Sequence, residues 1–467
     1  MPSTLGIVAS GEDVFNDAVL WLDTARSVAG ETTMVNYGKG GSALNATYGS
    51  SAGADTNDPL LLTHTGTNYL YLPGVAGNYA STPDAAALDI TGDIEIVARI
   101  KYTTWIPAAE TYVVSKIDTT VNQRSWALSI QPINGRPSIR WSTAGTASSF
   151  VQSSVSPGFT NDTTYWIKVT FDVDNGAGGN TARFYYAADQ ATEPSSWTQI
   201  GTDVVTAGTT SIFSGTSRLE IGSINAGSGG SFSPCSVYRA IVRNGIDGTT
   251  VFDANFTTGI TSGGQTTFTE SSANAATVTI NRSTSSRKSV AVVRNVLLFG
   301  TDDYLEVADN DLLDFGASDS FTALAVLRQW ATPTSFGVIL DKSTTNNNGW
   351  TLQGKTDFKL WTQVEDSGAA AAATLSSLDA GTSAGALAVR YMRLNRSSAT
   401  FEAGVNNTTP ASTSAASVGT LANSSVMRVG RFSGVSSNYN DMELVAVAVW
   451  RRALTANEIA TAVARYA

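Results

Sequence analysis

One cysteine and one histidine occur in 467 residues. A lone Cys235 cannot close an intramolecular disulfide, so the chain must hold together by core burial. A structural zinc site, which draws its ligands from several Cys and His side chains, is disfavoured for the same reason. Charged residues make up only 15% of the chain, against about 25% in an ordinary soluble protein. They are also of the wrong sign for polyanions: 29 Lys and Arg stand against 39 Asp and Glu, a net charge of −10. The densest basic stretch, Arg282 to Lys288, is thin and lies among Ser and Thr. Contacts to phosphates need clustered cations, so neither nucleic acid nor an anionic membrane is an expected partner. No run approaches the ~18 apolar residues of a membrane span. The opening Met1-Pro-Ser-Thr-Leu-Gly6 has no basic segment followed by an apolar one, so no signal peptide is expected and synthesis in a cytoplasm is.

What remains is a β-rich composition. Hydrophobic residues reach 42% and glycines number 42, enough for a packed core with polar, uncharged loops. Ile94, Ile96, Ala98 and Ile100 alternate with Glu95, Val97, Arg99 and Lys101, the period-two pattern of a half-buried strand. Tyr165 to Val173 repeats that pattern. The turn Asn175-Gly-Ala-Gly-Gly-Asn180 and then Arg183-Phe-Tyr-Tyr186 follow, which predicts a β-hairpin. Leu444 to Trp450 is apolar on both faces, as in a strand at mid-sheet. One helix is predicted, at the C-terminus: Thr455 and Glu458 form a capping box, with Ala456, Ile459, Ala460 and Val463 at helical spacing.

The chain also repeats itself. Tyr79 to Ile90 (YASTPDAAALDI) is answered 225 residues later by Tyr304 to Phe315 (YLEVADNDLLDF), aligning Asp84 with Asp309 and Asp89 with Asp314. Ser115-Lys116 then matches Asp341-Lys342, Trp126-Ala-Leu128 matches Trp350-Thr-Leu352, Trp141 matches Trp361, and Ile221-Gly222 matches Val429-Gly430. Leu20-Trp21-Leu22-Asp23 answers Val251-Phe252-Asp253. These matches predict two domains of comparable size, 1–249 and 250–467. The Gly/Ser/Thr-rich stretch 257–290 is then expected to hold early strands of the second domain, although it reads like a linker.

In the second copy, Phe299-Gly-Thr-Asp-Asp-Tyr304-Leu-Glu-Val-Ala-Asp309, Leu313-Asp-Phe-Gly316, Ser320-Phe-Thr322 and Val449-Trp-Arg-Arg-Ala-Leu454 resemble, in order, the motifs of the LamG/concanavalin A-like lectin family. The first copy keeps the order but ends differently, at Val237-Tyr-Arg239. The resemblance implies an all-β chain of two tandem concanavalin A-like jelly-roll β-sandwiches with a short C-terminal helix. The wording of the first copy (Tyr69-Leu-Tyr-Leu-Pro-Gly74, Trp126, Arg140-Trp-Ser142) further resembles LamG-like proteins among tailed-phage structural components.

Catalytic signatures are incomplete. Asp93-Ile-Glu95-Ile-Val97 begins the i, i+2, i+4 row of carboxylates used by jelly-roll glycan hydrolases, but the third position is Val. Gly381-Thr-Ser-Ala-Gly385 matches a nucleophile-elbow pattern, yet the only histidine, His64, lies far away in sequence and no helix follows. For a metal, calcium needs only oxygen ligands. Asp172-Val-Asp174 and Asp309-Asn-Asp311 are the candidate ligands. The first departs from the EF-hand template at Gly176 and Arg183, and turn-forming Asp and Asn explain both equally. LamG relatives bind calcium at the sandwich rim, which keeps that reading open. Trp21, Trp126, Trp350 and Trp450 sit at pattern positions and are expected in the core. Trp105 and Trp197 lie in polar, turn-rich contexts and are the candidate ligand-binding residues.

The expectation is therefore a non-enzymatic structural or adhesion protein of a tailed-phage virion: a minor tail or tail-tip protein, or a capsid decoration. Its partners would be other virion proteins, with self-association into a homo-oligomer open. Two alternatives stand beside it: a lectin for host-surface polysaccharide, and a jelly-roll glycan hydrolase. The longer first copy is the expected recognising half.

Overall fold

In a computed structural model, residues 12–466 are described except 52, 54, 230–231, 284–287, 301, 331–335, 345–347, 367–371, 379–382 and 434–438. Part of the basic stretch 282–288 and of the Gly381–Gly385 motif therefore lies outside the described residues. The chain is nearly all β and forms two compact units, each a sandwich of two antiparallel sheets around its own core.

One unit is residues 64–293. Its nine-stranded sheet is centred on Ile94–Tyr102, which lies between Thr164–Asp172 and Cys235–Asn244. Its eight-stranded sheet runs from Ser149–Gln152 through Gln123–Ile130, Thr111–Asp118 and Tyr79–Thr82 to Thr267–Thr269. The predicted hairpin forms: Thr164–Asp172 pairs with Gly179–Ala188, with Phe171 opposite Ala182. Ile94, Ile96, Ala98 and Ile100 enter the core beside Ile167, Val169 and Phe171. Glu95, Val97 and Arg99 must then take the outer face, because successive side chains alternate.

The other unit joins residues 1–63 to 294–467. One sheet has Phe321–Gln329 and Met442–Trp450 at its centre, and Leu20–Asp23 and Leu60–Leu62 belong to it. The second sheet begins with Thr33–Met34 and Ala46–Tyr48, continues through Leu305–Val307 and Phe336–Ser343, and ends at Ala372–Leu378. Leu20 pairs with Val449, Leu61 with Leu297, and Ala46 with Val307. Leu20, Leu22, Met34, Leu44 and Ala46 are all fully buried in the core of this unit.

Two sandwiches are present, but they are not laid end to end as 1–249 and 250–467. The 64–293 unit is inserted into the other. Residue 249 opens the strand Thr249–Asn255, which forms a hairpin with Cys235–Asn244, so a cut there would split one sheet. The sequence repeat still holds. Thr249–Asn255, Thr267–Thr269, Thr277–Asn281 and Val290–Val292 occupy in one sandwich the places that Leu20–Asp23, Thr33–Met34, Ala46–Tyr48 and Leu60–Leu62 occupy in the other. The opening strands of each copy thus complete the body of the other copy. The stretch 257–290 does hold strands, but they close the first body.

The C-terminal helix spans Ala456–Tyr466. Its capping box forms: Glu458 N–H donates to Thr455 Oγ1 at 3.3 Å, and Thr455 N–H donates to Glu458 Oε2 at 2.8 Å. Arg452 beside it lowers the Glu458 carboxyl to about 2. Ile459, Ala462, Val463 and Tyr466 make the buried face, whereas Ala456 and Ala460 are exposed.

Removal of residues 1–63 is expected to abolish the cooperative unfolding transition of the 294–467 body while leaving 64–293 folded. Cys235 reports on the latter: it is 3% exposed and its thiol is pushed up to about 12 by burial, so it resists alkylation until that sandwich opens. Calorimetry should show one transition instead of two, with Cys235 still protected; two surviving transitions would refute the assignment.

Candidate functional site

The expected site residues scatter. Trp105 is 1% exposed, so the expectation that it binds a ligand is corrected. Its ring is enclosed by Tyr102, Phe159 and Tyr165 at centroid distances of 5.1, 4.6 and 5.7 Å, and its Nε1 donates to the Thr163 carbonyl at 3.1 Å. The polar neighbours Thr103 and Thr104 misled because the enclosing rings arrive from residues 159 and 165. Trp21, Trp126, Trp350 and Trp450 are core as expected.

The acidic clusters make contacts within the protein. Asp172 Oδ1 accepts from the Asp174 N–H at 3.2 Å, and Asp174 Oδ1 from the Gly176 N–H at 3.2 Å. These are turn contacts of the hairpin loop. Asp309 faces an ammonium: Lys342 Nζ, fully buried, donates to Asp309 at 2.9 Å and to Asp314 at 2.8 Å. The same ammonium also donates to the carbonyls of Asn423 and Ser425 at 3.0 and 3.1 Å. The Asp311 carbonyl accepts from Arg451 at 2.7 Å. The other sandwich repeats this arrangement. Buried Lys116 meets Asp84 at 2.6 Å and Asp89 at 3.5 Å, and donates to the Gly215 carbonyl. A lysine thus supplies in each sandwich the positive charge for which a cation had been expected at Asp309. Among the described residues, no group of three or more His, Cys, Asp or Glu could hold a metal ion.

Trp197 stands apart. It is half-buried on the outer face of the nine-stranded sheet, in a cleft of about 620 Å³ lined by Glu95, Lys168, Glu193, Trp197, Arg243 and Asp247. Sheet register builds the floor. Glu95 lies across from Thr170 on one neighbour and Arg243 on the other; one pleat on, Lys168 lies between Val97 and Tyr185. The segment after Gly179–Ala188 supplies the wall. It is tied down where Arg99 clamps Asp189 through two hydrogen bonds of 2.6 and 3.1 Å and where Trp166 Nε1 donates to the Gln190 carbonyl at 3.0 Å. Arg243 joins wall to floor, pairing with Glu193 at 2.6 Å and with Glu95. Trp197 then packs beside Val97, Trp166 and Ile241.

Cations and rings interleave here. Lys168 Nζ sits 4.8 Å from the Trp197 ring centre, 5.1 Å from that of Tyr185 and 3.8 Å from Glu95 Oε2. Burial works against the charged form of Arg243, but its bonds to Glu193 and Glu95 outweigh that and hold the guanidinium above its usual range. Glu95 itself is 1% exposed. Two cations, Arg243 and Lys168, take up the Glu95 carboxylate. Asp93 instead accepts from the Val173 N–H at 2.9 Å. The cleft offers aromatic faces beside charged donors and acceptors, a combination suited to recognising hydroxylated rings. Lys168 and Glu95 were visible as outward positions of alternating strands. Arg243, Glu193 and Asp247 carried no such signal, because a β-bulge and a loop bring them in.

No protein-family model and no curated protein matches the chain. Several solved structures are similar. The binding domain of Paraclostridial mosquitocidal protein 1 is 15% identical over 37% of this chain, with a TM-score of 0.32. The present chain spans 44% of that one. Domains LG4-5 of the mouse laminin α1 chain are 12% identical, covering 86% of this chain and 96% of that one, with a TM-score of 0.30. The CBM40 of a Ruminococcus gnavus IT-sialidase, bound to α2,3 sialyllactose, is 10% identical over 34% of this chain and 94% of its own, with a TM-score of 0.28. At such scores these similarities carry no functional argument. No described helix is long and apolar enough to cross a membrane.

Replacing Lys342 by Met leaves Asp309 and Asp314 facing each other without a cation. The expected cost is about 3 kcal/mol in the stability of that sandwich, read by denaturant unfolding. EDTA should leave the melting temperature of the native chain unchanged. A fall of several degrees in EDTA, or a neutral Lys342→Met variant, would restore the calcium reading.

Proposed function

We propose that the protein binds rather than turns over its ligand, and that the 64–293 sandwich recognises a saccharide in the Trp197 cleft. The observation that carries this reading is the cleft itself. It sets a half-buried tryptophan beside Tyr185, Lys168, Arg243 and three carboxylates on one sheet face. A pyranose presents an apolar face and a rim of hydroxyls. Rings serve the first, and fixed carboxylate–guanidinium pairs serve the second as acceptors and donors. The charges are paired to one another in advance, so they are held in place for binding without being available for proton transfer.

The setting of that binding is proposed on the sequence resemblance alone: a tailed-phage particle, with the chain as a minor tail, tail-tip or decoration protein beside other virion proteins. Co-purification with intact particles at fixed stoichiometry is the expected result; a chain found only free of particles would remove this setting without touching the cleft.

For the cleft, Trp197→Ala should weaken binding on a polysaccharide array by about tenfold, the loss of one aromatic contact, with Cys235 still protected. Unchanged binding would refute the assignment. Incubation with the bound polysaccharide should yield no shortened products; turnover that Glu95→Gln abolishes would show the protein to be a hydrolase.

A further inference from the structure

The two sandwiches differ at one interior place, and the difference is chemical. Three positions of the 64–293 unit, Tyr102, Ile130 and Ile167, belong to its hydrophobic core. Register identifies their counterparts. Ile167 lies across from Ala98, four residues before the Phe171–Ile94 pair. Arg390 lies across from Ala325, four residues before the Leu394–Phe321 pair. Tyr102 ends its strand as Gln329 ends the equivalent one. Ile130 follows Trp126 by four residues, as Gly354 follows Trp350. An apolar patch in one sandwich is therefore Arg, Gln and Gly in the other.

Arg390 is 1% exposed, and among the described residues its Nε and Nη1 have no hydrogen-bond partner. Burial alone pushes its guanidinium down to about 10, with no neighbouring carboxylate offsetting it. Gln329 is buried too, and its Oε1 is unpartnered among the described residues. Its Nε2 reaches only Asn440 Oδ1, at 3.4 Å. The groups converge at Gly354: a Cβ built there would meet Gln329 Oε1 at 2.9 Å, Gln329 Nε2 at 3.0 Å and Arg390 Nη1 at 3.2 Å. A buried, unpaired cation is among the most costly features a core can carry. Here it stands where the sister sandwich shows that isoleucine fits.

We propose that this buried polar cluster of the 294–467 body binds a small anion, held by Arg390 with the amides of Gln329 and Asn440. The ligand class is a halide, or the carboxylate or phosphate group of a small acidic molecule. The guanidinium supplies the charge and directed N–H donors, the amides of Gln329 and Asn440 carry further N–H groups whose present partners, Asn440 Oδ1 at 3.4 Å and Met442 Sδ at 3.8 Å, are long, and Gly354 lets the guanidinium and the Gln329 amide come together where a side chain would clash.

The test uses the full chain in HEPES as the only buffer anion, titrated separately with chloride, acetate, phosphate and glucuronate. For at least one of them, the melting temperature of the sandwich that contains Arg390 should rise by about 3 °C per tenfold increase in anion above half-saturation. Arg390→Ile, which installs the residue of the sister sandwich, should remove that dependence. The ranking of the four anions separates a halide site from an oxyanion site. Equal dependence in both proteins, or none in the wild type, would overturn the proposal. Should the variant fail to fold, crystals of the wild-type chain in bromide decide. An anomalous peak within hydrogen-bonding reach of the Arg390 guanidinium nitrogens supports the site, and a guanidinium bonded only to protein or water refutes it.

Discussion

A β-sandwich tolerates an unpaired interior edge poorly, because every open strand leaves a row of backbone donors and acceptors unsatisfied. In this chain neither sequence copy closes its own edges. Met442–Trp450 is flanked on one side by Leu20–Asp23, and Leu305–Val307 by Ala46–Tyr48, strands more than 250 residues earlier. The nested architecture follows from that requirement. Once the first four strands of the chain are committed to the last body, the intervening 64–293 segment must complete itself with the strands that open the second copy.

Within those frames each sandwich places one ammonium, Lys116 or Lys342, under a pair of aspartates on the loop that leads into the central strand. The geometry recurs although the loops around it differ in length. The interior end of the strands is where the sandwiches part. One fills it with Ile130, Ile167 and Tyr102, the other with Gly354, Arg390 and Gln329. The outer face parts as well. Only the 64–293 unit carries the Arg99–Asp189 clamp that lays a wall over its sheet and frames the Trp197 cleft.

Much of this was legible in the sequence, and the limits have physical causes. The all-β class, the hairpin at Asn175–Asn180, the capping box at Thr455 and the pairing of copies were local or periodic signals, and strand alternation and capping chemistry are local. Which copy's strands close which body was not legible, since Leu20–Asp23 and Thr249–Asn255 satisfy equivalent edges equally well. Asp309 read as a metal ligand because its true counter-ion, Lys342, lies 33 residues away on the strand Phe336–Ser343. Trp105 read as exposed because only tertiary contacts enclose it. Trp197 was singled out from its polar context and does line the cleft, but the charges around it come from four separate segments.

Native-state hydrogen exchange tests the closure most directly. The amides of Leu20–Asp23 should exchange with those of Met442–Trp450, in the slowest class of that sandwich, and independently of Ile94–Tyr102 and Cys235–Asn244. Fast exchange across 20–62, or exchange in step with the 64–293 core, would contradict the account.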